Sequence, residues 1–291
     1  MLYLVDASIY VFRAWFSMDD SITDKQGRPV NAVYGFAIFL AQLLQQAQPR
    51  HISILFDESL TSSFRNRIYP PYKANRDPAP DELKYQFKCC QQLCKAAGIH
   101  TMSSKRYEAD DLIGSMAQRF RKQSQGVVIV SRDKDLVQLI QNNDYMWDFA
   151  DDCQYDSKQA ELHFGVRPDQ IIDYLALAGD AVDNIPGVRG VGKKTAQTLL
   201  QHYASLDALY DDLDAVLDLP IRGVKRIHRL LDEQRDMAYL SQQLTRIKCD
   251  VKLTVNRKDL RWQPDIKKLE RFFNRLGTGQ RLLKRFEQAI G

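Results

Sequence analysis

The stretch GVVIVSRD, residues 126–133, decides the fold. Four consecutive β-branched residues after a glycine are typical of a strand buried on both faces, as in a parallel sheet covered by helices. The apolar run stops at Ser131, and an acid, Asp133, follows at once. Functional sites in open parallel sheets lie at the carboxyl ends of the strands. We therefore expect Asp133 to lie at a functional edge.

Two other apolar runs end at an acid in the same way. Residues 2–5 (LYLV) lead to Asp6, and residues 51–56 (HISILF) lead to Asp57. Residues 145–147 predict one more strand. Patterns with helical periodicity separate these runs, at residues 32–46, 80–97 and 109–122. Strands that alternate with helices predict an α/β fold with a mostly parallel central sheet and helices on both faces.

The chain divides into three predicted regions. Residues 1–163 form the α/β core, and helical patterns with short loops take over in residues 164–251. Residues 252–291 are a basic extension that either packs as a helix or enlarges a nucleic-acid surface. Charge is uneven: residues 184–291 hold 21 Lys and Arg against 13 Asp and Glu, and residues 1–183 hold 20 against 24. This asymmetry favours a polyanionic partner beside a cation site.

Composition excludes several classes of protein. The 291 residues are 44% hydrophobic, yet no run of about 18 apolar residues predicts a membrane span. The first residues lack the basic start and cleavage site of a secretory signal. Five cysteines are an odd number for a disulfide framework, and no His completes a zinc set around Cys90 and Cys94. We expect a cytoplasmic monomer.

Nine acids are candidate metal ligands: Asp6, Asp57, Glu108, Asp110, Asp111, Asp133, Asp135, Asp180 and Asp183. Taken singly, an acid after a strand or at a helix start is usually a turn residue or an N-cap. Gathered together, such carboxylates repel one another unless cations neutralise them. Hard oxygen ligands without His or Cys suit Mg²⁺ or Mn²⁺ rather than zinc. Two ions about 3.5–4 Å apart can hold both the attacking and the leaving oxygen of a phosphoryl displacement.

Residues 61–76, TSSFRNRIYPPYKANR, combine cations with aromatic rings and contain no acid. Cations that grip phosphate beside rings that stack on bases suit single-stranded nucleic acid, although a plain surface loop is the alternative. The candidates for DNA contact are Arg65, Arg67, Tyr69, Tyr72, Lys73 and Arg76.

Residues 185–196, IPGVRGVGKKTA, nearly match a nucleotide-binding P-loop. Lys194 stands where that motif needs Ser or Thr, and no strand pattern precedes it. We favour a tight hairpin between two helices whose backbone N–H groups hold a DNA phosphate. The residues of this predicted contact are Gly187, Gly190, Gly192, Lys193, Lys194 and Thr195.

Four blocks of the chain resemble the 5′ nuclease family: FRNRIYPPYKANR, YEADDLIG, SRDKDLVQL and LAGDAVDNIPGVRGVGKKTA. The family includes the N-terminal domain of bacterial DNA polymerase I, phage 5′ nucleases and flap endonucleases. The resemblance covers residues 2–251. Ala7 replaces the glycine usual in polymerase-type members, and no polymerase domain follows, so the chain resembles a stand-alone nuclease.

The resemblance implies a PIN-like nuclease core that acts as a Mg²⁺-dependent 5′-3′ exonuclease and flap endonuclease in replication or repair. Seven of the acids, from Asp6 to Asp135, match ligands of two metal ions, and Asp180 and Asp183 match outer acids of the second ion. Lys73 and Arg76 match the base of a helical arch at about residues 60–88, where they contact the scissile phosphate, and with Asp133 they are the catalytic candidates. Residues 185–196 match a helix–hairpin–helix that binds duplex DNA, in some members with K⁺.

Two other functions remain open at this point. One is a structure-selective DNA-binding protein that has lost cleavage, although pure binding needs none of the nine acids. The other is a related ribonuclease, which only a panel of substrates distinguishes from a DNA enzyme. The expected substrate is DNA with 5′ ends or 5′ flaps, bound through its backbone.

Overall fold

A six-stranded, mostly parallel sheet forms the centre of the computed structural model, which describes residues 1–58 and 62–290. The strand order is β3-β2-β1-β4-β5-β6. Only β6 runs antiparallel to its neighbour. The bounds are β1 Leu2–Asp6, β2 His51–Asp57, β3 His100–Ser104, β4 Val127–Val130, β5 Tyr145–Asp148 and β6 Cys153–Tyr155. The predicted fold class is confirmed.

Helices cover both faces of the sheet and build a second domain. The first domain contains α1 Ala7–Ser17, α2 Asn31–Ala47, α3 Phe64–Ile68, α4 Asp81–Ala96 and α5 Ala109–Phe120. The helices that follow are α6 Ser157–Phe164, α7 Ile171–Ala178, α8 Lys193–His202, α9 Leu206–Asp211, α10 Val224–Glu233 and α11 Arg235–Thr245. The chain ends with α12 Ile266–Leu276 and α13 Gly279–Ile290.

The register of the sheet brings the strand ends to one edge. Val5 pairs with Ile54 on one side and with Val130 on the other. All four residues of β4 are buried, as the apolar run predicts. The acids that follow β1, β2 and β4 therefore meet at the carboxyl edge.

The C-terminal residues belong to the first domain rather than to a separate extension. From Arg246 the chain runs back along α5, where the N–H of Val251 donates to Ser115 Oγ at 3.0 Å. Helices α12 and α13 then bury Phe273 and Phe286 in the core beneath α2 and α4. Residues 266–276 and 279–290 are therefore helical and packed on the core, and the other alternative for residues 252–291, a larger nucleic-acid surface, stays a prediction.

Several elements differ from the sequence predictions. α1, β3 and β6 were not predicted. Residues 81–88, assigned to the arch, are the first half of α4, and Gln86 there is buried. Its Oε1 accepts the N–H of Ala32 at 2.7 Å and so caps the start of α2. Leu60 and Thr61 of the predicted arch lie outside the described residues. None of the described helices combines the length and apolar character needed to cross a bilayer.

We predict that Phe273→Ala lowers the free energy of unfolding by about 3–5 kcal/mol, because the ring is 1% exposed and contacts the Phe272 and Phe286 rings. Urea denaturation measures the change. Phe16→Ala is the control, since Phe16 is 81% exposed, and should alter stability by less than about 0.5 kcal/mol. Equal losses in the two variants would contradict the assignment of α12 to the core.

Candidate active site

Asp6 and Asp57 form the first part of a carboxylate cluster at the carboxyl edge of the sheet. Asp6 is the last residue of β1 and caps α1, accepting the N–H of Ser8 at 3.2 Å. Asp57 ends β2 and accepts the Ser8 hydroxyl at 2.7 Å. It also accepts the N–H of Ala109 at 2.8 Å, which fixes the start of α5 beside it. One serine therefore joins the two strand ends.

The start of α5 adds Glu108 and Asp110. Glu108 is 6% exposed and accepts a bond from Lys73 Nζ at 2.5 Å. Burial alone would raise the pKa of Glu108, but the charges of Lys73 and Arg65 outweigh it and lower that pKa to about 2. Asp110 has the opposite balance: burial and then the charges of Asp133 and Asp6 hold its pKa well above the ordinary value.

The turn after β4 supplies Asp133 and Asp135. Asp133 accepts the N–H of Asp135 at 2.9 Å, and the Ser131 hydroxyl donates to Asp6 at 3.0 Å. Burial raises the pKa of Asp133. Burial and the charge of Asp133 raise the pKa of Asp135 to about 8. Burial, with Asp57 and Asp133, raises the pKa of Asp6 to about 7.

Asp180 and Asp183 reach the cluster from the loop that follows α7. Lys134 Nζ lies 2.6 Å from Asp180 and 3.6 Å from Asp135. Lys73 Nζ lies 3.5 Å from Asp183, which also pairs with Arg76. The two loop acids are therefore tied to the sheet edge through side-chain cations.

A divalent cation fits this cluster because the protein's own cations do not neutralise all of its carboxylates. Among residues 1–58 and 62–290, no three His, Cys, Asp or Glu side chains already form a ligand set for one ion. Asp135 Oδ1, however, is buried without a hydrogen-bond partner. Burial first, and then the charges of neighbouring carboxylates, raise the pKa values of Asp6, Asp110 and Asp135. An all-carboxylate donor set of this kind suits a hard divalent cation that draws the side chains together.

Asp111 and Arg65 have structural rather than functional contacts, which corrects two predictions. Asp111 is fully buried, and both its oxygens accept bonds of 2.8 Å from Arg65. Arg65 also donates to the carbonyls of Leu244 and Arg246. With its side chain 3% exposed, Arg65 cannot reach DNA, and Asp111 is already neutralised by Arg65, which also lies 3.7 Å from Glu108. The pair joins residues 62–76, α5 and the end of α11.

The aromatic residues of the same segment divide by exposure. Tyr72 is 3% exposed, and its hydroxyl lies 3.2 Å from both Glu108 and Asp183, so the prediction that it stacks on a base is wrong. Tyr69 is half-buried and packs against the small apolar cluster formed by Tyr72, Ile185 and Leu244. Arg67 is exposed and remains a candidate for DNA contact.

Residues 71–76 are fastened to residues 181–184 directly above the acids. Lys73 adopts φ 55°, and its N–H donates to the carbonyl of Asp183 at 2.9 Å. Asn75 donates to the carbonyl of Ala181 at 3.0 Å, and Asn184 donates to that of Pro71 at 2.7 Å. This docking places the Lys73 ammonium between Glu108 and Asp183, and the Lys73 side chain is only 12% exposed.

The glycine-rich segment lies between α7 and α8, as the predicted hairpin requires. Gly187 has φ 61°, and a Cβ there would lie 2.3 Å from the backbone nitrogen of Gly179. Gly190 has φ 96°. Gly192 precedes α8 with open space around it, and Lys193 and Lys194 are exposed. Thr195 is half-buried in the first turn of α8. The exposed backbone here remains the candidate contact for DNA phosphate.

Lys134 is the site residue that the sequence reasoning missed. It lies between Asp133 and Asp135 in the chain and bridges Asp135 to Asp180. A lysine inside a run of acids was a visible signal for such a bridge. Ser8 and Ser131, which orient Asp57 and Asp6, carried no comparable signal.

The mostly parallel sheet and its edge of buried acids are those of an α/β nuclease, and comparisons with known proteins agree. A family model described as the N-terminal resolvase-like domain of 5′-3′ exonucleases matches residues 1–165. A second, described as their C-terminal SAM fold, matches residues 166–268. The chain therefore belongs to the 5′-3′ exonuclease family.

Curated relatives agree with this assignment. The 5′-3′ exonuclease of Buchnera aphidicola is 33% identical over 88% of this chain and 90% of its own length. That of Aquifex aeolicus is 34% identical over 92% and 89%. DNA polymerase I of Pseudomonas aeruginosa is 40% identical over 87% of this chain, which spans 28% of that enzyme.

Solved structures share the fold. The phage T5 5′-exonuclease with divalent metal ions (zinc) bound superposes with a TM-score of 0.69 at 21% identity, over 99% of this chain and 98% of its own. The catalytic core of Rad2 in complex with DNA substrate gives 0.65 at 16% identity, over 99% and 90%.

We predict that breaking the buried ion pair destabilises the fold. Arg65→Met and Asp111→Leu should each lower the free energy of unfolding by about 3–5 kcal/mol, because each leaves a buried charge unpaired. The double variant should lose less than the sum of the two. Urea denaturation of all four proteins tests this, and additive losses would contradict the pairing.

We also predict that stability falls as pH rises in the absence of divalent cations. For an acid whose folded pKa is raised, the unfolded state ionises first, so folding weakens between about pH 4 and the folded pKa. Glu108 acts oppositely, but its contribution is complete above about pH 5. Between pH 5 and pH 8.5, Asp135→Asn should lose less stability than the wild type, by an amount on the order of 2 kcal/mol.

Comparing variant with wild type cancels the opposite contributions of His51 and His100, whose lowered pKa values favour folding as pH rises. Denaturant titrations at the two pH values measure the free energy of unfolding of both proteins. Identical pH dependence in the two proteins would show that burial and the charge of Asp133 do not raise the pKa of Asp135.

Proposed function

We propose that the protein hydrolyses DNA phosphodiester bonds near 5′ ends and 5′ flaps, as a 5′-3′ exonuclease and flap endonuclease that uses two divalent metal ions. The observation that carries the proposal is the cluster of buried acids at the sheet edge, with Lys73 and Arg76 directly above it. Its stand-alone relatives are named 5′-3′ exonucleases.

Metal dependence is supported by the donor chemistry of the cluster. Asp6, Asp57, Glu108, Asp110, Asp133 and Asp135 would hold the ions, with Asp180 and Asp183 at the outer side. Mg²⁺ fits these hard oxygen donors, and Mn²⁺ should substitute. The ions would supply an activated water and charge stabilisation at the phosphate. The fold is shared with a flap endonuclease solved with DNA and metal ions.

The chain's own cations position the scissile phosphate. Lys73 pairs with Glu108, and Arg76 pairs with Asp183. Both cations therefore lie beside the acids, where a bound phosphate would lie. With metal ions held by the acids, Lys73 and Arg76 would be free to bind the non-bridging oxygens of the phosphate. There they would stabilise the negative charge that grows in the transition state.

The glycine hairpin would hold the duplex through its backbone. Gly190, Gly192 and the N–H groups at the start of α8 offer donors to one phosphate, with Lys193 and Lys194 alongside. As a helix–hairpin–helix, this segment could also bind K⁺ through loop carbonyls. We assign the protein, as a monomer in the cytoplasm, to DNA replication or repair.

A gel assay with a labelled 5′ flap, a nicked duplex, a single strand and an RNA version tests the proposal. We predict cleavage of the DNA substrates only when Mg²⁺ is present. Asp133→Asn should slow cleavage by about a thousandfold or more while sparing most DNA affinity, because Asp133 serves the reaction and not the binding.

Asp259→Asn is the matched control, since Asp259 is exposed and lies at the opposite edge of the sheet. It should cut at the wild-type rate. Normal cleavage by Asp133→Asn would contradict the site. Binding without cleavage by the wild type would instead support an inactive DNA-binding protein, and preference for RNA would support a ribonuclease.

A further inference from the structure

The outer faces of α4, α12 and α13 concentrate the positive charge of the protein. Together these helices contain ten Lys and Arg against four Asp and Glu. The whole chain contains 41 against 37, a net charge of +4. The rest of the molecule is therefore net negative, and the basic character of the protein belongs to this one surface.

The cations of this surface face solvent while the opposite sides of the helices are buried. All ten are exposed: Lys84, Lys88, Lys95, Lys267, Lys268, Arg271, Arg275, Arg281, Lys284 and Arg285. In the part of the chain that the structure describes, only two of them lie within ion-pair distance of a carboxylate. These are Lys84, beside Asp81, and Lys268, beside Asp265.

The three helices form one continuous surface. Arg275 of α12 donates to Gln92 of α4 at 2.8 Å, and Gln263, just before α12, donates its N–H to the carbonyl of Gly98, just after α4. α12 therefore runs antiparallel to α4, and α13 packs beside α12. Exposed cations held side by side repel one another, and a polyanion relieves that repulsion.

This surface and the glycine hairpin flank the acids from opposite ends of the sheet. The helical domain packs against β5 through Met146 and against the turn after β4 through Val137. Helix α4 instead leads into β3, at the other end. It begins at Asp81, a few residues after Arg76, which pairs with Asp183 at the acids. A strand that passes the acids from the hairpin side therefore reaches α4 next.

We propose that the α4–α12–α13 surface binds the phosphodiester backbone of the displaced 5′ strand beyond the cleavage point, so that longer flaps bind more tightly. The proposal rests on the proposed function. The second family match ends at residue 268, so most of α12 and all of α13 lie outside both matched regions.

The test is a fourfold variant with Arg271→Gln, Arg281→Gln, Lys284→Gln and Arg285→Gln, compared with wild type on flaps of about 2 and about 20 nucleotides joined to the same duplex. For the wild type, the long flap should bind about tenfold more tightly or better. The variant should lose that gain, and its salt dependence on the long flap should weaken by about three slope units, at about 0.7 for each single-strand contact. Cleavage of the short flap should not change.

The matched control removes four exposed cations at the amino edge of the sheet: Arg50→Gln, Lys122→Gln, Arg257→Gln and Lys258→Gln. It changes the net charge equally and should behave as wild type. Urea denaturation confirms that both variants are folded, as expected for exposed substitutions.

Three results would overturn the proposal. The first is a variant with wild-type flap-length and salt dependence. The second is an equal loss in the control, which would show a general charge effect. The third is a loss that follows the length of the upstream duplex instead of the flap, which would assign the surface to another part of the DNA. A wild type that cuts none of the substrates in Mg²⁺ contradicts the proposed function as well, which separates the two failures.

Discussion

Mutual repulsion among buried carboxylates is the constraint on which this structure depends. Parallel strands deliver Asp6, Asp57 and Asp133 to one edge, where Asp6 is buried, Asp57 and Asp133 are half-buried, and little water screens their charges. The raised pKa values of Asp6 and Asp135 record the cost in the folded chain. Three side-chain cations, Lys73, Arg76 and Lys134, offset part of it.

The same constraint explains how distant segments are assembled around the site. Residues 71–76 and 181–184 come from different domains, yet hydrogen bonds to backbone carbonyls dock one upon the other. The ion pair between Arg65 and Asp111 also stabilises this assembly. It joins α5 to the second domain, because Arg65 donates to the carbonyls at the end of α11 as well. Asp111, which the sequence predicted as a metal ligand, therefore stabilises the segments that position the other acids.

Much of the fold could be predicted because its signals are local. The buried strands β1, β2 and β4 are continuous apolar runs, and the acids after them mark the functional edge. β3 (HTMSS) and β6 (CQY) carry no such run, and their strand structure depends on neighbours in the sheet. Helix α1 follows Asp6 directly, so no turn signal separated it from β1.

The sequence predicted that acids would form the candidate site, but it could not assign a role to each residue. Sequence spacing cannot distinguish Asp110, which faces the other acids, from its neighbour Asp111, which faces Arg65, because adjacent helical residues point in different directions. The exposure of Arg67 and the burial of Arg65 and Tyr72 depend in the same way on tertiary packing. Lys134 shows the converse case, in which a readable signal within SRDKD was overlooked.

The most direct test of the central claim is a calorimetric titration of Mg²⁺ into the protein at pH 7, repeated in buffers of different ionisation enthalpy. If divalent cations bind these strained carboxylates, binding must lower their pKa values and release protons, so the observed heat should change with the buffer. Binding with no release of protons, or no binding at millimolar Mg²⁺, would contradict the claim that the acids at this sheet edge form the metal site.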